Sequence, residues 1–361
     1  MKVSNSRTLR ISLTNVTGLG ATQLVQSLLP ALERAGLVGD IHLPATGPLA
    51  HYERHSPGPA PLPIRRRLPN ALSRLVECTV QAGAFDGDTP LLVLGDLPLR
   101  IRGRQIVFVH TPHLLLEPAG ASPAQRIKFG IARTIFRMNA KRVTAAIVQT
   151  ETMRIGLEAA YSALKGRVHV IPQPAPEWLL ESGLRRTGRV RSGKLRLFYP
   201  AAGYPHKNHA LLYDAATQAT WLNLVETVVV TLPRTIDRQG VYPAGRLEPA
   251  AMRNEYMQAD ALVFPSLAES YGLPLVEAMW LGLPILCADL PYAHDLCGDT
   301  AIYFSPNDGR SLTAAVIELN QRLARGWWPD WMERLKNIPN GWDGVATRMT
   351  ELAHYAGQPS S

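Results

Sequence analysis

Short runs of aliphatic residues alternate with longer amphipathic stretches along the chain, the pattern of parallel strands each followed by a helix that covers the sheet. Leu9–Asn15 is the first such run. It leads through Val16-Thr17-Gly18-Leu19-Gly20 into a segment with helical spacing of apolar residues from about Ala21 to Ala35, closed by Gly36. Strand, glycine loop and helix in that order suit a phosphate, although two glycines fall short of a dinucleotide fingerprint and serve a tight turn equally well. Further strands are predicted at Leu91–Leu94, Gln105–His110, Ala145–Gln149 and Arg167–Ile171. His51–Pro69, rich in Pro and Arg and without either period, is predicted to be a mobile surface loop, and Ser122-Pro123 opens a helix reaching about Ala140.

Pro172, Pro174 and Pro176 interrupt this order, and a fresh alternation begins at Leu195–Tyr199. The prediction is an N-terminal domain over 1–175, a linker over 176–194, a second domain over 195–341 and a helical end over 342–361. A chain of 361 residues is long enough for two such cores.

The second half carries the more specific signals. Lys207 follows the strand Leu195–Tyr199 and precedes a helix containing Leu211, Leu212 and Ala215, so it stands at the carboxyl end of a parallel strand, where such sheets hold ligands. A solvated loop lysine is the plainer alternative. Residues 261–289 read as a strand, a loop, a helix opened by Pro274 and stopped at Gly282, and a strand at Ile285–Ala288. The main-chain N–H groups of Tyr271, Gly272 and Leu273 then leave the helix start, where the dipole favours an anion such as a diphosphate. Glu277, read as lying in the first turn, is suited to accept hydrogen bonds from a ribose diol, and Glu269 faces the substrate from the other side. Against this stands a Glu277 that only complements the helix dipole and a Glu269 that is solvated.

Composition narrows the class. With 46% hydrophobic and 19% charged residues the chain is globular, and no apolar run approaches a membrane span. The start MKVSNSRTLRISLTN has no secretory core, which predicts a protein made and kept in the cytoplasm. Cys78, Cys287 and Cys297 show no paired spacing and are expected to be buried thiols rather than disulfides or zinc ligands. The net charge of +9 is lopsided: residues 1–172 hold 21 Lys+Arg against 10 Asp+Glu, the rest 17 against 19. A basic half attracts phosphates, anionic lipids or nucleic acid without choosing among them. In the helix after Ser122, Arg126, Lys128, Arg133, Arg137 and Lys141 interleave with Ile127, Ile131, Ile135 and Phe136, a pattern that suits covering a sheet or lying on a membrane. No helix-turn-helix, zinc finger or aromatic RNA-binding strand points to a specific nucleic acid.

The pair Glu269…Glu277 in FPSLAESYGLPLVEAMWLGLPILCADLP resembles the Glu-x7-Glu motif of retaining glycosyltransferases of family 4. The likeness continues in YPHKNHALL at Tyr204–Leu212, VIPQP at Val170–Pro174, AAIVQTETM at Ala145–Met153, VFVHTPH at Val107–His113 and AIYFSPND at Ala301–Asp308. It implies an α/β protein of GT-B fold, two Rossmann-like parallel-sheet domains facing a central cleft, with the last helix crossing back to the first domain. It implies transfer of a sugar from a nucleotide-diphosphate donor to a saccharide or lipid-linked acceptor, with no metal and no cofactor.

By the same resemblance Lys207 and the backbone of Ser270, Tyr271, Gly272 and Leu273 hold the diphosphate, and Glu277 binds the ribose. Glu269 contacts the transferred sugar, His110 faces that sugar with His113 as a nearby competitor, and Gly18 and Gly20 let the first loop approach. Two departures stand out. Ala202 occupies the place of a customary arginine, for which Arg234 and Arg246 are candidate substitutes, and Gln173 replaces a hinge asparagine. The expected setting is surface polysaccharide or lipopolysaccharide assembly, with the basic half on the inner face of the membrane. An epimerase or hydrolase on the same fold, and a non-catalytic binder of nucleic acid or membrane, are the competing readings.

Overall fold

Aliphatic runs short enough to be strands and apolar on both faces require cover on both sides, and the chain provides it twice. In the computed structural model, which describes residues 8–16, 18–64, 70–117, 120–188 and 193–355, the chain divides into two units. Unit 1 comprises 1–117, 121–173 and 339–361; unit 2 comprises 118–120 and 174–338.

Among the described residues unit 1 contains a parallel sheet of β1 (Leu9–Ser12), β2 (Val38–Leu43), β3 (Leu62–Pro63), β4 (Leu91–Val93), β5 (Gln105–Phe108), β6 (Ala145–Val148) and β7 (Val168–Val170), in the order β3-β2-β1-β4-β5-β6-β7. The helices are α1 (Leu19–Arg34), α2 (Asn70–Thr79), α3 (Pro123–Asn139) and α4 (Glu151–Ala160). Strands β4, β5 and β6 are buried at every position, as a sheet covered on both faces demands. The order reverses between β1 and β4, and the loops after β1, β4 and β5 meet there. A Cβ on Gly95 would stand 2.7 Å from Cβ of Asn15, so only glycine lets the loop after β4 pass the loop after β1.

Unit 2 repeats the plan with β8 (Leu195–Tyr199), β9 (Val225–Val230), β10 (Val241–Pro243), β11 (Ala261–Phe264), β12 (Ile285–Ala288) and β13 (Ile302–Phe304), ordered β10-β9-β8-β11-β12-β13 and parallel throughout. Its helices are α5 (Glu177–Leu180), α6 (His209–Ala215), α7 (Ala219–Leu224), α8 (Pro249–Gln258), α9 (Leu273–Leu281), α10 (Pro291–Cys297), α11 (Gly309–Ala324) and α12 (Met332–Leu335). The last helix, α13 (Trp342–Tyr355), returns to unit 1, where it packs on α1 and Asp343 pairs with Arg34 at 2.9 Å.

Several sequence expectations shift. Helix α1 begins at Leu19 rather than Ala21, which takes Gly20 out of the loop and into the first turn. The stretch 51–69 is not a free loop over its described part: Glu33 accepts from the main-chain N–H groups of His55 and Ser56, Arg54 donates to the carbonyl of Gly39 at 2.7 Å, and Leu62–Pro63 adds an edge strand. Residues 65–69 of it lie outside the described residues, as do 189–192 of the linker, 118–119, and 356–361. Within the expected linker, α5 packs Leu179 into the core of unit 2. The three cysteines are free and buried, and among the described residues no helix is long and apolar enough to cross a membrane.

Candidate active site

The carboxyl ends of β8 and β11, neighbours in the sheet of unit 2, carry the chemistry. After β8 the chain makes one short turn, Pro205–Lys207, and Asn208 takes a left-handed conformation at φ 54°, which asparagine tolerates better than most residues. That turn aims Lys207 at the loop after β11, where its ammonium meets the Glu269 carboxylate at 2.5 Å with side chains only 18% and 12% exposed. The loops are stitched along their backbones as well: the N–H of Leu267 donates to the carbonyl of His206 at 2.7 Å, and Ser266 Oγ donates to the same oxygen. Lys207 and Glu269, picked out separately in the sequence, are thus an ion pair.

Helix α9 starts at Leu273, capped by Gly272 at φ 97°, and Pro274 occupies its first turn. The left-handed cap suits glycine alone, and a Cβ there would also stand 3.0 Å from Leu275 Cδ1. Among the described residues the N–H groups of Gly272 and Leu273 have no acceptor, as expected of the first donors of a helix. Ser270 and Tyr271 are buried beside them. Glu277 is the fifth residue of α9, just past the first turn in which it was expected, because the helix begins at Leu273, one residue before Pro274. Its carboxylate is 3% exposed and accepts a hydrogen bond from the Tyr256 hydroxyl at 2.6 Å.

Two histidines flank Lys207. Burial, then the ammonium of Lys207, lowers the pKa of His206, and the same two causes push that of His209 down to about 4. Arg234 spans two loops to donate to the carbonyl of Ala244 at 3.2 Å, whereas Arg246 is 75% exposed with Glu248 at 4.0 Å. Among the described residues no group of three or more His, Cys, Asp or Glu is arranged to hold a metal ion.

The remaining predicted residues belong to unit 1. His110 follows β5, and its Nε2 donates to the carbonyl of Leu94 at 2.8 Å, which assigns the proton to that nitrogen. Asp96, not singled out in the sequence, accepts from the main-chain N–H of His110 at 2.7 Å and lies 3.6 Å from its Nδ1. The sequence signal for Asp96 was a Gly-Asp pair directly after a buried strand. His113 instead packs its ring on Phe129 of α3. Gly18 caps α1 with ordinary extended angles, and a Cβ on either Gly18 or Gly20 would meet nothing within 4 Å, so the backbone itself does not demand glycine there. Gln173, at the last position of the main part of unit 1, donates to the carbonyl of Ile171 at 2.8 Å.

Residues 196–322 match the family described as glycosyl transferases group 1, which spans the β8 and β11 loops just described. The structure resembles that of WaaG, a glycosyltransferase involved in lipopolysaccharide biosynthesis, with a TM-score of 0.67 at 14% identity over 96% of this chain and 98% of that one. A sucrose-phosphate synthase from Thermosynechococcus elongatus superposes with a TM-score of 0.66 at 15% identity, covering 96% and 98%. The chain has the GT-B fold. Among curated relatives, the O-antigen chain mannosyltransferase RfbU of Salmonella typhimurium is 22% identical over 223 residues, 58% of this chain and 59% of that protein. A serotype-specific mannosyltransferase WbdA of Escherichia coli is 36% identical over 96 residues, 23% of this chain and 12% of the relative. The GT-B chain thus spans under two thirds of the length of each.

Proposed function

We propose that this protein is a retaining hexosyltransferase that moves a sugar from a nucleoside-diphosphate donor to a saccharide or lipid-linked acceptor during surface polysaccharide or lipopolysaccharide assembly. The observation that carries the reading is the Lys207–Glu269 pair at 2.5 Å beside the unmatched N–H groups of Gly272 and Leu273. Breaking a sugar–phosphate bond leaves positive charge on the anomeric carbon and negative charge on the diphosphate, so a fixed ammonium and a helix start stabilise the leaving group as it forms. In this reading they do so without a metal. Glu269 contacts the sugar hydroxyls and Glu277 the ribose diol. From unit 1, His110 faces the sugar, and the missing side chains of Gly18, which caps α1, and Gly20, in its first turn, leave room for the donor. The acceptor hydroxyl attacks from the face the diphosphate leaves, and a diphosphate oxygen takes its proton. The mannosyltransferase relatives make a nucleoside-diphosphate mannose the first donor to test.

Attachment to an anionic membrane belongs to the same proposal. Ile127 and Met138 are 64% and 56% exposed on α3, in line with Ile131 and Thr134 at helical spacing, and residues 123–142 hold six cations and no carboxylate. Arg74 crowds Lys128 closely enough to push its ammonium, already partly buried, further below the usual lysine range. A ridge of apolar tips among cations, of which Arg133 pairs with Glu117 at 3.3 Å, suits lipid headgroups better than nucleic acid, which offers no apolar layer.

Thermal unfolding measured against a panel of nucleotide sugars tests the donor site, since only a ligand of the native state raises the midpoint. At least one nucleoside-diphosphate sugar is expected to stabilise the wild type and not Lys207→Gln. Stabilisation by none, or equal stabilisation of the variant, removes the proposed site. Release of nucleotide without acceptor, as fast as transfer with it, identifies a hydrolase instead.

A further inference from the structure

Three tyrosines buried in unit 2 each place the hydroxyl on one part of this site. Tyr199 donates to the carbonyl of Lys207 at 2.8 Å, Tyr292 to the carbonyl of Ser266 at 2.6 Å, and Tyr256 to the carboxylate of Glu277 at 2.6 Å. The first two hold main chain. Tyr256 alone holds a side chain that the proposed chemistry uses.

Tyr256 belongs to α8, two elements before α9, and its ring is fully buried, edge-on to Phe198 of β8 at 4.9 Å. Burial, and then the neighbouring carboxylate, push its pKa well above the ordinary value, so the phenol keeps its proton and acts as donor. Its one hydrogen goes to Glu277 Oε2. The last torsion of a glutamate is broad, so a carboxylate takes its plane from its hydrogen-bond donors. Holding Oε2 therefore sets the direction of Oε1.

We propose that Tyr256 is a positioning residue that orients Glu277 toward the ribose diol and thereby sets a preference for ribonucleotide over deoxyribonucleotide donors. The proposal rests on Glu277 as the ribose ligand. Tyr256 itself touches no substrate.

The test is calorimetric titration of GDP, UDP, ADP and CDP, followed by the tightest binder against its 2′,3′-dideoxy counterpart, for the wild type, Tyr256→Phe, Glu277→Gln and the double variant. The wild type is expected to prefer the ribonucleotide by about tenfold or more, one well-made hydrogen bond to a charged group being of that order. Tyr256→Phe and Glu277→Gln are each expected to bring that ratio within about threefold, and the double variant to bring no further loss, as for two residues acting through one contact. A Tyr256→Phe protein that keeps the full preference overturns the proposal, since a merely structural tyrosine changes stability and leaves the ratio alone. A wild type without any preference, or a Glu277→Gln protein that retains it, overturns instead the reading of Glu277 as ribose ligand. Where Tyr256→Phe does not fold, 3-fluorotyrosine at the same position keeps the ring and makes the phenol a stronger donor. The ratio then has to change by about twofold or more, and an unchanged ratio overturns the proposal.

Discussion

Asp96 accepts the main-chain N–H of His110 at 2.7 Å while its own backbone stands at φ 65°. A left-handed aspartate is a small strain retained for the contact it makes. Asp96→Ala keeps the strain and loses the acceptor, with an expected loss of about 1–3 kcal/mol in urea unfolding. Asp96→Gly loses the same acceptor but relieves the backbone, and is expected to be the milder of the two. Equal losses from both would mean that φ at 96 carries no strain.

The Lys207–Glu269 pair implies a competition. The carboxylate occupies the ammonium that the proposal assigns to the diphosphate. Glu269→Gln is expected to bind a bare nucleoside diphosphate at least as tightly as wild type, with turnover down by about 100-fold or more because the sugar loses a transition-state contact. Calorimetry and initial rates separate the two. Weaker nucleotide binding in Glu269→Gln would show that the carboxylate helps rather than opposes the lysine.

His209 sets part of the acid limb of stability. Its pKa is pushed from 6.5 down to about 4 by burial and then by Lys207, so below pH 6.5 the unfolded chain takes up a proton that the folded one resists. Stability from this residue is therefore present above pH 6.5 and lost as pH falls toward 4, by roughly 3 kcal/mol at most. Denaturant unfolding of His209→Asn across that range is expected to give a flatter curve than wild type. Parallel curves would assign the acid loss to other groups.

Gly272 has two reasons to be glycine, its φ of 97° and the 3.0 Å approach of Leu275. Gly272→Ala is expected to lower stability by about 1–3 kcal/mol and to weaken nucleotide binding, because the cap that presents the N–H groups must move. Unchanged binding in a destabilised variant would separate the helix start from the donor site.

On α3, Ile127→Glu combined with Met138→Glu is expected to abolish sedimentation with vesicles containing phosphatidylglycerol while nucleotide binding stays intact. Wild type is expected to sediment with those vesicles and not with phosphatidylcholine alone, and to release them in salt well above 0.15 M, where screening shortens the reach of the cations to under about 8 Å. Binding indifferent to lipid charge would leave the cations without a role.

Most of the fold was legible because fully buried strands read as unbroken aliphatic runs: the expected bounds of Leu195–Tyr199 and Ile285–Ala288 match β8 and β12 residue for residue. The edge strand Leu62–Pro63 was not, since two exposed residues carry no period, and the ties that fix 51–64 come from Glu33 and Arg54, which are distant or embedded in a Pro-rich stretch. Lys207 and Glu269 were visible as residue types at strand ends. Their contact was not, because 62 residues separate them and only the adjacency of β8 and β11 brings them together. Tyr256 was not singled out in the sequence, since a hydroxyl aimed at a buried carboxylate leaves no mark on hydrophobic spacing.

The return of α13 to α1 has a consequence for synthesis. Apart from residues 118–120, unit 2 is one uninterrupted stretch lodged inside the sequence of unit 1. A ribosome reading from the N-terminus delivers every strand of the later sheet before it releases the helix that the earlier unit needs for completion, so the half begun first is the half finished last.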